Sequence, residues 1–240
     1  MTDTPRPQDA ARLLVQLHHH QRSAHQALPG QALDPQMVLL RTWQSQRLGR
    51  THADLLASPR YNPACLFFLE EVYAPRDFTQ RDADAQRMHD FMLRFLPARL
   101  LHTLTLTLEL NHFTRELDDA LLRAMVDTLG MTDTITGDLY AEGYRVCDNY
   151  ADRARQIDMI VEVGQGLERL VKLPFIGLTL QLARGPALRA GWHDLQAYLE
   201  RGFAAFKHMH GAHEFLDAIQ QREMRILDRI FARTDDPFDV

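Results

Sequence analysis

The chain has 240 residues, of which 45% are hydrophobic and 25% are charged, and its formal net charge is -5. This length is enough for one domain with a sizeable core, because a chain of this size buries roughly 70–75% of its unfolded surface. The acidic balance and the absence of a long lysine or arginine run exclude a surface that neutralises a phosphate backbone. We therefore expect no nucleic acid among the partners.

The two cysteines, Cys65 and Cys147, lie far apart, and neither belongs to a Cys-x-x-Cys pair. A disulfide framework or a thiolate zinc site therefore has no support in the sequence, and we expect two buried thiols in a reducing cytosol. The first seven residues carry an acid and two prolines and lead into no apolar segment, unlike a secretory signal. These features predict a cytoplasmic protein.

Helix-starting signals recur along the chain. Asp34-Pro35 and Asn62-Pro63 each place a capping side chain before a proline at the first helical position. The alternation in Thr103–Leu108 has the period of a strand, but a lone strand would have no pairing partner, so we interpret it as helix. Thr114 is the expected cap of a later helix. The predicted helices span about 35–57, 62–75, 80–95, a segment starting at Pro97, 114–129, 135–147, 149–171, 193–209 and 212–231.

Breaks between these helices are expected at the Gly130–Thr134 loop and at Arg184-Gly185-Pro186. Gly164-Gln165-Gly166 lies in a helical pattern without the preceding strand of a dinucleotide site, so these glycines indicate close helix packing. The sequence predicts an all-α fold, a single-domain multi-helix bundle of about eight to ten helices. We assign one helical domain to residues 1–240 and expect frayed ends at 1–8 and 234–240.

The longest apolar run, Leu173–Leu182, is too short for a membrane span, which needs about 20 apolar residues. Pro174 lies inside this run near its start, and Arg184 lies just beyond its end. We therefore predict a buried helix here and do not expect a membrane partner. Peripheral membrane association through residues 172–182 is kept as a third hypothesis.

Glu109-Leu110-Asn111-His112 forms a Glu-x-x-His pair, which on a helix places Glu109 and His112 on one face and supplies half of a di-iron carboxylate site. No second Glu-x-x-His occurs in the chain. A partial metal site with Glu70 or Glu71 as the further carboxylate is one interpretation. The alternative is a solvated pair near a helix end.

A second candidate metal group lies at His210, His213 and Glu214, where spacings of three and four residues allow a shared helix face. Gly211 is expected to interrupt the helix between them, and a polar surface is the ordinary explanation for such a junction. The sequence therefore identifies no cofactor, although a metal or a haem in the bundle core stays open.

The segment Phe67-Phe68-Leu69-Glu70-Glu71-Val72-Tyr73 places two adjacent carboxylates inside an aromatic helix. At 100° per residue most of its apolar side chains gather on one face, while Glu70 and Glu71 flank Phe67 on the other. If Phe67 is buried, the carboxylates need basic partners such as Arg76; if it is exposed, it marks a contact surface. The candidate interaction or pocket residues are Phe67, Glu70, Glu71, Tyr73 and Arg76.

At these residues the chain resembles the bacterial FFLEELY motif proteins, with Val72 in place of the leucine of the motif. The resemblance extends over most of the chain, through Pro75-Arg76-Asp77-Phe78, Ile160-Val161-Glu162-Val163-Gly164, Arg184-Gly185-Pro186 and Leu199-Glu200-Arg201-Gly202-Phe203. It implies a bacterial, intracellular helical protein. It implies no catalytic residues.

Three functions are compatible with this sequence. The leading hypothesis is a non-enzymatic module that binds a partner protein or forms a homo-oligomer through an apolar helix face, because the chain lacks a complete catalytic constellation. The alternative is a bundle that holds a metal, a haem or an apolar ligand in its core, with oxidoreductase chemistry as one outcome. Peripheral membrane association is the third.

Overall fold

A computed structural model describes residues 34–72 and 98–240 of the chain. No strand occurs among these described residues, and their regular structure is helical throughout, which confirms the all-α prediction. The described α-helices are α1 (Pro35–Thr51), α2 (Ala53–Ala57), α3 (Asn62–Phe67), α4 (Ala98–Arg123), α5 (Gly137–Cys147), α6 (Tyr150–Val171), α7 (Ile176–Ala190), α8 (His193–Met209) and α9 (His213–Phe231). Helices α3 and α4 each continue as a π-helical turn, at Phe68–Val72 and at Ala124–Thr128.

Local capping signals predict the start of several helices correctly. The Asp34 side chain accepts a hydrogen bond from the Gln36 backbone N at 2.9 Å, and Pro35 follows as the first residue of α1. The predicted single helix to Ala57 is interrupted at His52, which ends α1 and precedes α2. The prediction was therefore right about the start of this segment and wrong about its continuity.

The prediction that Thr114 starts a helix is wrong. Thr114 lies in the middle of α4, which also contains the Thr103–Leu108 alternation and confirms its interpretation as helix. The Thr114 hydroxyl accepts a hydrogen bond from Gln156 Nε2 at 2.8 Å. The side chain that resembled a cap in the sequence therefore makes a tertiary contact with α6.

The predicted break at Arg184-Gly185-Pro186 is also wrong, because α7 runs through it. Pro186 cannot donate a hydrogen bond to the Leu182 carbonyl, but both residues are exposed, so water can solvate that carbonyl. Arg184 donates from Nε and Nη2 to the two Glu200 carboxylate oxygens, each at 2.6 Å. This bidentate pair ties α7 to α8 beside the proline.

The expectation that Leu173–Leu182 forms a buried helix is wrong as well. Phe175 is 75% exposed, Leu178 is 52% exposed and Leu182 is 70% exposed. Helix α8 packs on the side of α7 that carries Gly177, where an added Cβ would lie 3.1 Å from Phe203 Cε1. The opposite side of α7 therefore presents apolar side chains to solvent.

The chain divides into two compact units, and the unit boundaries fall within α4 and α6. In the described chain, unit 1 comprises residues 98–112 and 163–211, and unit 2 comprises residues 34–72, 113–162 and 212–240. Each unit is described by itself below. The assignment of one domain to residues 1–240 stays a prediction, and its expected frayed start at 1–8 lies outside the described residues.

The core of unit 2 is built where α1, α4, α5 and α9 bury large side chains. Gly143 allows the close approach of α5 to α4, because an added Cβ would lie 2.8 Å from Leu121 Cδ1 and 2.9 Å from Met125 Cγ. In unit 1, Gly166 allows the same approach of α6 to α4, since its added Cβ would lie 2.8 Å from Thr103 Oγ1. The packing role predicted for the Gly164–Gly166 glycines is thus confirmed at Gly166.

The C-terminal segment 234–240 is packed rather than frayed, contrary to the sequence expectation. Phe238 contacts Trp43 edge to face, with ring centroids 5.5 Å apart, and lies 6.0 Å from the Tyr140 ring. Arg229 holds the segment by donating to the Asp235 carbonyl at 3.2 Å and to the Asp239 carbonyl. The aromatic anchor, rather than the polar composition around it, decides the position of this end.

Candidate functional site

Unit 2 contains a cavity of about 110 Å³ lined by residues of α1, α2, α3 with its π turn, α4, α5, α6 and α9. Much of its wall is apolar, and this apolar wall includes Leu48, Leu55, Phe68, Ile157 and Ile219. The rest of the cavity wall is polar, although it lies in the interior of the unit. The polar lining residues are Gln44, Arg47, His52, Thr114, Asp118, Tyr140, Tyr144, Arg153, Gln156 and Glu223.

A buried ion pair between α1 and α9 forms one polar part of the wall. Arg47 Nη1 donates to both oxygens of Glu223, at 2.6 and 2.5 Å, and His52 Nε2 lies 3.0 Å from Glu223 Oε1. The exposed fractions of the three side chains are 9% for Arg47, 12% for Glu223 and 9% for His52. The Glu223 carboxylate is thus fully used by its two basic neighbours.

The charges in this cluster stabilise one another against the cost of burial. Burial alone would raise the pKa of Glu223, but Arg47 and His52 outweigh it and hold that pKa at about 2. Burial would likewise lower the pKa of Arg47, but the facing Glu223 carboxylate outweighs it and raises that pKa. Glu223 and Arg47 are therefore both charged at neutral pH.

A second buried cluster surrounds Arg153 of α6. Its Nη2 donates to the Leu117 carbonyl at 2.9 Å, and its Nη1 donates to Gln156 Oε1 at 3.1 Å. The Asp118 carboxylate lies 3.5 Å from Nη1, a looser pair than that between Arg47 and Glu223. The exposed fractions of Arg153 and Asp118 are 4% and 6%, so this pair too is shielded from water.

Two tyrosines of α5 lie between the clusters. Tyr140 and Tyr144 share a hydrogen bond between hydroxyl oxygens 3.0 Å apart, and Gln44 Nε2 contacts Tyr140 Oη at 3.4 Å and Asp118 Oδ1 at 3.1 Å. The Arg153 guanidinium lies over the Tyr144 ring, with Cζ 4.5 Å from its centroid. Burial raises the pKa of Tyr144 well above its usual range, so its hydroxyl keeps its proton.

Three buried atoms of the lining residues lack a hydrogen-bond partner within the described part of the chain. They are Nε of Arg47, Nδ1 of His52 and Nε of Arg153. Buried polar groups in proteins are nearly always satisfied by protein, water or ligand. All three belong to residues that line the cavity, although each atom itself has less than 1 Å² of accessible surface.

Cys65 also lines the cavity but does not present a nucleophile. Burial raises the pKa of its thiol to about 11, so the thiolate is scarce at neutral pH. Both Cys65 and Cys147 are free, as the sequence predicts, although Cys147 is half-buried rather than buried. The cavity therefore has the features of a binding site more clearly than those of a site for covalent catalysis.

The candidate residues of the aromatic motif differ in their exposure to solvent. Phe67 is 7% exposed and contacts the Phe68 ring, and Phe68 lines the cavity and stacks on Phe215. Glu70 is exposed. The π-helical turn starts at Phe68 and changes the angular spacing of the residues after it.

Of the two alternatives for Phe67, the structure therefore supports burial and excludes an exposed contact surface at this residue. The backbone of Glu71 lies in the π-helical turn. Its side chain, together with Tyr73 and Arg76, lies outside the described residues. The burial of the carboxylates that would accompany a buried Phe67 is not found at Glu70, which is exposed, and stays a prediction for Glu71.

The metal candidates do not form a cluster in the described chain. Glu109 and His112 are half-buried in α4, while Glu214 accepts hydrogen bonds from Tyr61 Oη at 2.5 Å and Arg60 Nη1 at 3.0 Å. His213 pairs with Asp217 at 2.7 Å, and exposed His210 ends α8 in a left-handed conformation. No group of three or more His, Cys, Asp or Glu side chains suited to a metal occurs among the residues that the structure describes.

The metal or haem prediction is therefore left to experiment. Elemental analysis and an absorption spectrum of protein purified without a histidine tag test it. Stoichiometric metal or a haem band would support the prediction, and a colourless, metal-free sample would contradict it.

The residues that line the cavity were missed by sequence reasoning, but a signal for them exists. Met37, Leu40 and Gln44 recur at helical spacing on the buried side of α1, and Arg47 occupies the next position of the same series. Glu223 likewise lies between core residues Ile219 and Ile226 of α9. A charged residue at a core-facing position of an amphipathic helix is therefore the signal that could have identified this site.

No helix in the described chain is both long enough and apolar enough to span a bilayer.

Residues 21–237 match a family model described as a domain of unknown function, DUF8198. No curated protein and no solved structure matches the chain. The family match does not bear on the resemblance to FFLEELY motif proteins, which stays a prediction. Because the matched region covers most of the sequence, the chain belongs to this family of domains of unknown function.

Proposed function

We propose that the protein binds a small molecule with an apolar body in the cavity of unit 2. The observation that carries this proposal is a cavity whose wall is mostly apolar but also includes the polar side chains of Gln44, Thr114 and Gln156. Binding sites for small molecules are mostly apolar and contain a few convergent polar groups that orient the ligand. The cytoplasmic location predicted from the sequence is also part of what we propose for this protein.

The size of the cavity limits what it can hold. Its volume of about 110 Å³ is smaller than the engineered cavity of about 150 Å³ that binds benzene. It is also well below the roughly 300–1,000 Å³ of sites for drug-sized ligands. This comparison favours a ligand of about the size of a single ring or a short alkyl chain over a haem.

Thermal unfolding with small aromatic probes tests the proposal. Toluene, benzamide and benzoate are added separately to the protein and to two variants, Ile219→Phe and Ile176→Phe. Ile219 is a half-buried residue of the cavity wall, whereas Ile176 is a half-buried residue of α7 in unit 1. The same substitution thus fills the cavity in one variant and leaves it open in the other.

We expect at least one probe to raise the Tm of the wild-type protein and of Ile176→Phe, because a ligand that binds the folded state stabilises it. The same probe should leave the Tm of Ile219→Phe unchanged. An equal response of the two variants would place binding elsewhere, and no response of the wild-type protein to any probe would overturn the proposal.

A second candidate function is self-association through α7, in keeping with the interaction module expected from the sequence. Leu178 and Leu182 lie four residues apart on one face of α7, and Phe175 precedes that face; all three are more than half exposed. The occupant that we propose is a second copy of this chain. In a two-fold dimer the same face of each copy contacts the other copy, so each apolar contact is formed twice. A small patch on one chain therefore contributes two sets of contacts to the interface.

Light scattering over a range of protein concentrations tests this second function. Leu182→Glu should reduce the fraction of dimer, while Gln181→Glu, which places the same charge at an exposed position one residue away, should not. A wild-type protein that stays monomeric throughout, or equal effects of the two substitutions, would contradict self-association. The cavity proposal does not depend on this outcome.

A further inference from the structure

We infer that Phe238, in the segment 234–240, is a positioning residue for the cavity of unit 2 and acts on the cavity wall through Tyr140. This role, which rests on the proposed function above, extends the binding site to a residue that does not line the cavity itself. The segment 234–240 thus takes part in ligand binding as well as in the packing of the unit.

Phe238 belongs to a group of three aromatic rings. Its ring lies edge-on to Trp43, with centroids 5.5 Å apart, and edge-on to Tyr140, with centroids 6.0 Å apart. Trp43 in turn stacks on Tyr140, with centroids 4.1 Å apart. Edge-to-face and stacked ring pairs are favourable beyond the area that they bury. The Tyr140 ring is therefore held by contacts from α1 and from the segment 234–240.

Tyr140 connects this aromatic group to the polar part of the cavity wall. It is buried, and it lines the cavity, whereas Trp43 and Phe238 do not. Its hydroxyl lies 3.0 Å from Tyr144 Oη and 3.4 Å from Gln44 Nε2, and both partners also line the cavity. A shift of the Tyr140 ring would therefore disturb the hydrogen bonds of two further residues of the wall.

The segment that carries Phe238 is held on both sides of this residue. Arg229 of α9 donates to the Asp235 carbonyl at 3.2 Å and to the Asp239 carbonyl. The ring of Phe238 packs against the start of α5, because a Cβ added at Gly137 would lie 3.3 Å from Phe238 Cε2. The same helix supplies both tyrosines of the cavity wall, so Phe238 contacts α5 at its backbone and at a side chain.

Loss of the Phe238 ring would leave the Tyr140 ring without one of its contacts. A side chain that is less constrained populates more positions, and a ligand that requires one position binds more weakly in proportion to the population of that position. Aromatic contacts of this kind are individually modest. We therefore expect a partial loss of affinity rather than a loss of binding.

Titration calorimetry with toluene, benzamide and benzoate on the full-length protein tests this role. For each probe that binds the wild-type protein, the Kd should rise roughly two- to tenfold in Phe238→Ala. Phe238→Tyr, which keeps the ring, should bind with the wild-type Kd. Phe238→Leu keeps apolar volume but removes the ring, so it should show the raised Kd even if Phe238→Ala does not fold.

Phe231→Ala is the matched control, because it removes an edge-to-face contact of the same kind away from the cavity. Phe231 lies edge-on to Tyr150, with ring centroids 5.3 Å apart, and neither residue lines the cavity. This variant should have a lower Tm, since it too loses packing, but should keep the wild-type Kd. All titrations are made well below the Tm of each variant, so that a change in Kd reports binding by folded protein.

A wild-type Kd in both Phe238→Ala and Phe238→Leu would overturn the role of Phe238 and leave small-molecule binding in place. An equal rise of the Kd in Phe231→Ala, or in Phe238→Tyr, would overturn this role in the same way. Binding of none of the three probes to the wild-type protein would overturn the proposed function together with this role.

Discussion

Most proteins expose their charged side chains and bury their large apolar ones. The cavity of unit 2 instead buries charged side chains, whereas α7 in unit 1 exposes apolar side chains. Around the cavity, Arg47, Arg153, Asp118 and Glu223 are charged residues with little exposure to water. On α7 and at Phe175 just before it, leucine and phenylalanine side chains are more than half exposed. Burying charge is costly unless the charges are paired, whereas exposing a few apolar side chains costs little by itself.

This difference indicates which region needs a precise geometry. The buried charges are tolerated because each is paired or hydrogen-bonded within the unit, so any ligand must fit an arrangement that is already fixed. The α7 face depends on no such arrangement and can change without consequences for the fold. We therefore expect substitutions in the two regions to differ sharply in their effect on stability.

The largest effect is expected for Glu223→Gln, which leaves the buried Arg47 guanidinium without its carboxylate. Loss of one partner of a buried ion pair typically lowers the free energy of unfolding by about 3–5 kcal/mol. Chemical denaturation of the variant and of the wild-type protein measures the difference.

The matched control is Asp54→Asn, because Asp54 pairs with Arg222, the residue beside Glu223, at 2.6 Å. Asp54 is 60% exposed, so we expect a loss of less than about 1 kcal/mol. Equal losses of unfolding free energy in the two variants would show that the contribution of these ion pairs to stability does not depend on their burial.

The next effect is the loss of stability in acid. The pKa of Glu223 is about 2 in the folded protein against an ordinary value of 4.5, so its carboxylate stabilises the fold above pH 4.5. This contribution, up to about 3 kcal/mol, is lost as the pH falls from 4.5 to about 2. Denaturation curves at several pH values measure the slope.

Other carboxylates, including Asp54, also have a lowered pKa and add to the acid sensitivity of the wild-type protein. The comparison with Glu223→Gln isolates the contribution of Glu223, because this variant lacks the titrating group. Its stability should fall less steeply than that of the wild-type protein between pH 4.5 and pH 2. Parallel curves would contradict the assignment.

The smallest effect on stability is expected for Leu182→Glu on α7. The side chain is 70% exposed, and surface substitutions away from caps and ion pairs usually change the free energy of unfolding by no more than about 0.5 kcal/mol. Thermal or chemical unfolding at low protein concentration checks this value apart from any self-association. A loss of several kcal/mol would mean that α7 contributes to the core of its unit.

Several features of the fold were predictable because the signals for them are local. Asp34-Pro35 marks a helix start through capping and through the fixed φ of proline, as predicted. A helix also starts at Asn62, but the predicted cap is wrong, because Tyr61 precedes the helix without a side-chain cap and Asn62 donates to the Leu56 carbonyl at 2.8 Å. Gly211 separates α8 from α9 as expected. Wrong predictions arose where a local signal was overruled by a contact distant in sequence, as at Thr114, whose hydroxyl contacts Gln156.

The candidate site was less predictable, because buried ion pairs join residues far apart in the chain. Arg47 and Glu223 are separated by 176 positions, and neither belongs to a motif that indicates binding. Their helical spacing marks each as a charged residue on an apolar face, but this pattern does not identify the partner. The conspicuous motif at Phe67–Tyr73 instead contributes Phe68 and Leu69 to the apolar wall.

The sequence by itself determined that the protein is helical and where several of its helices begin, because periodicity, caps and prolines act over a few residues. Tertiary structure alone decided which charges are buried together, that residues 234–240 are packed, and which apolar helix faces solvent. Those outcomes depend on contacts between residues that are far apart in sequence. Charged side chains in particular can be buried only where such contacts pair them.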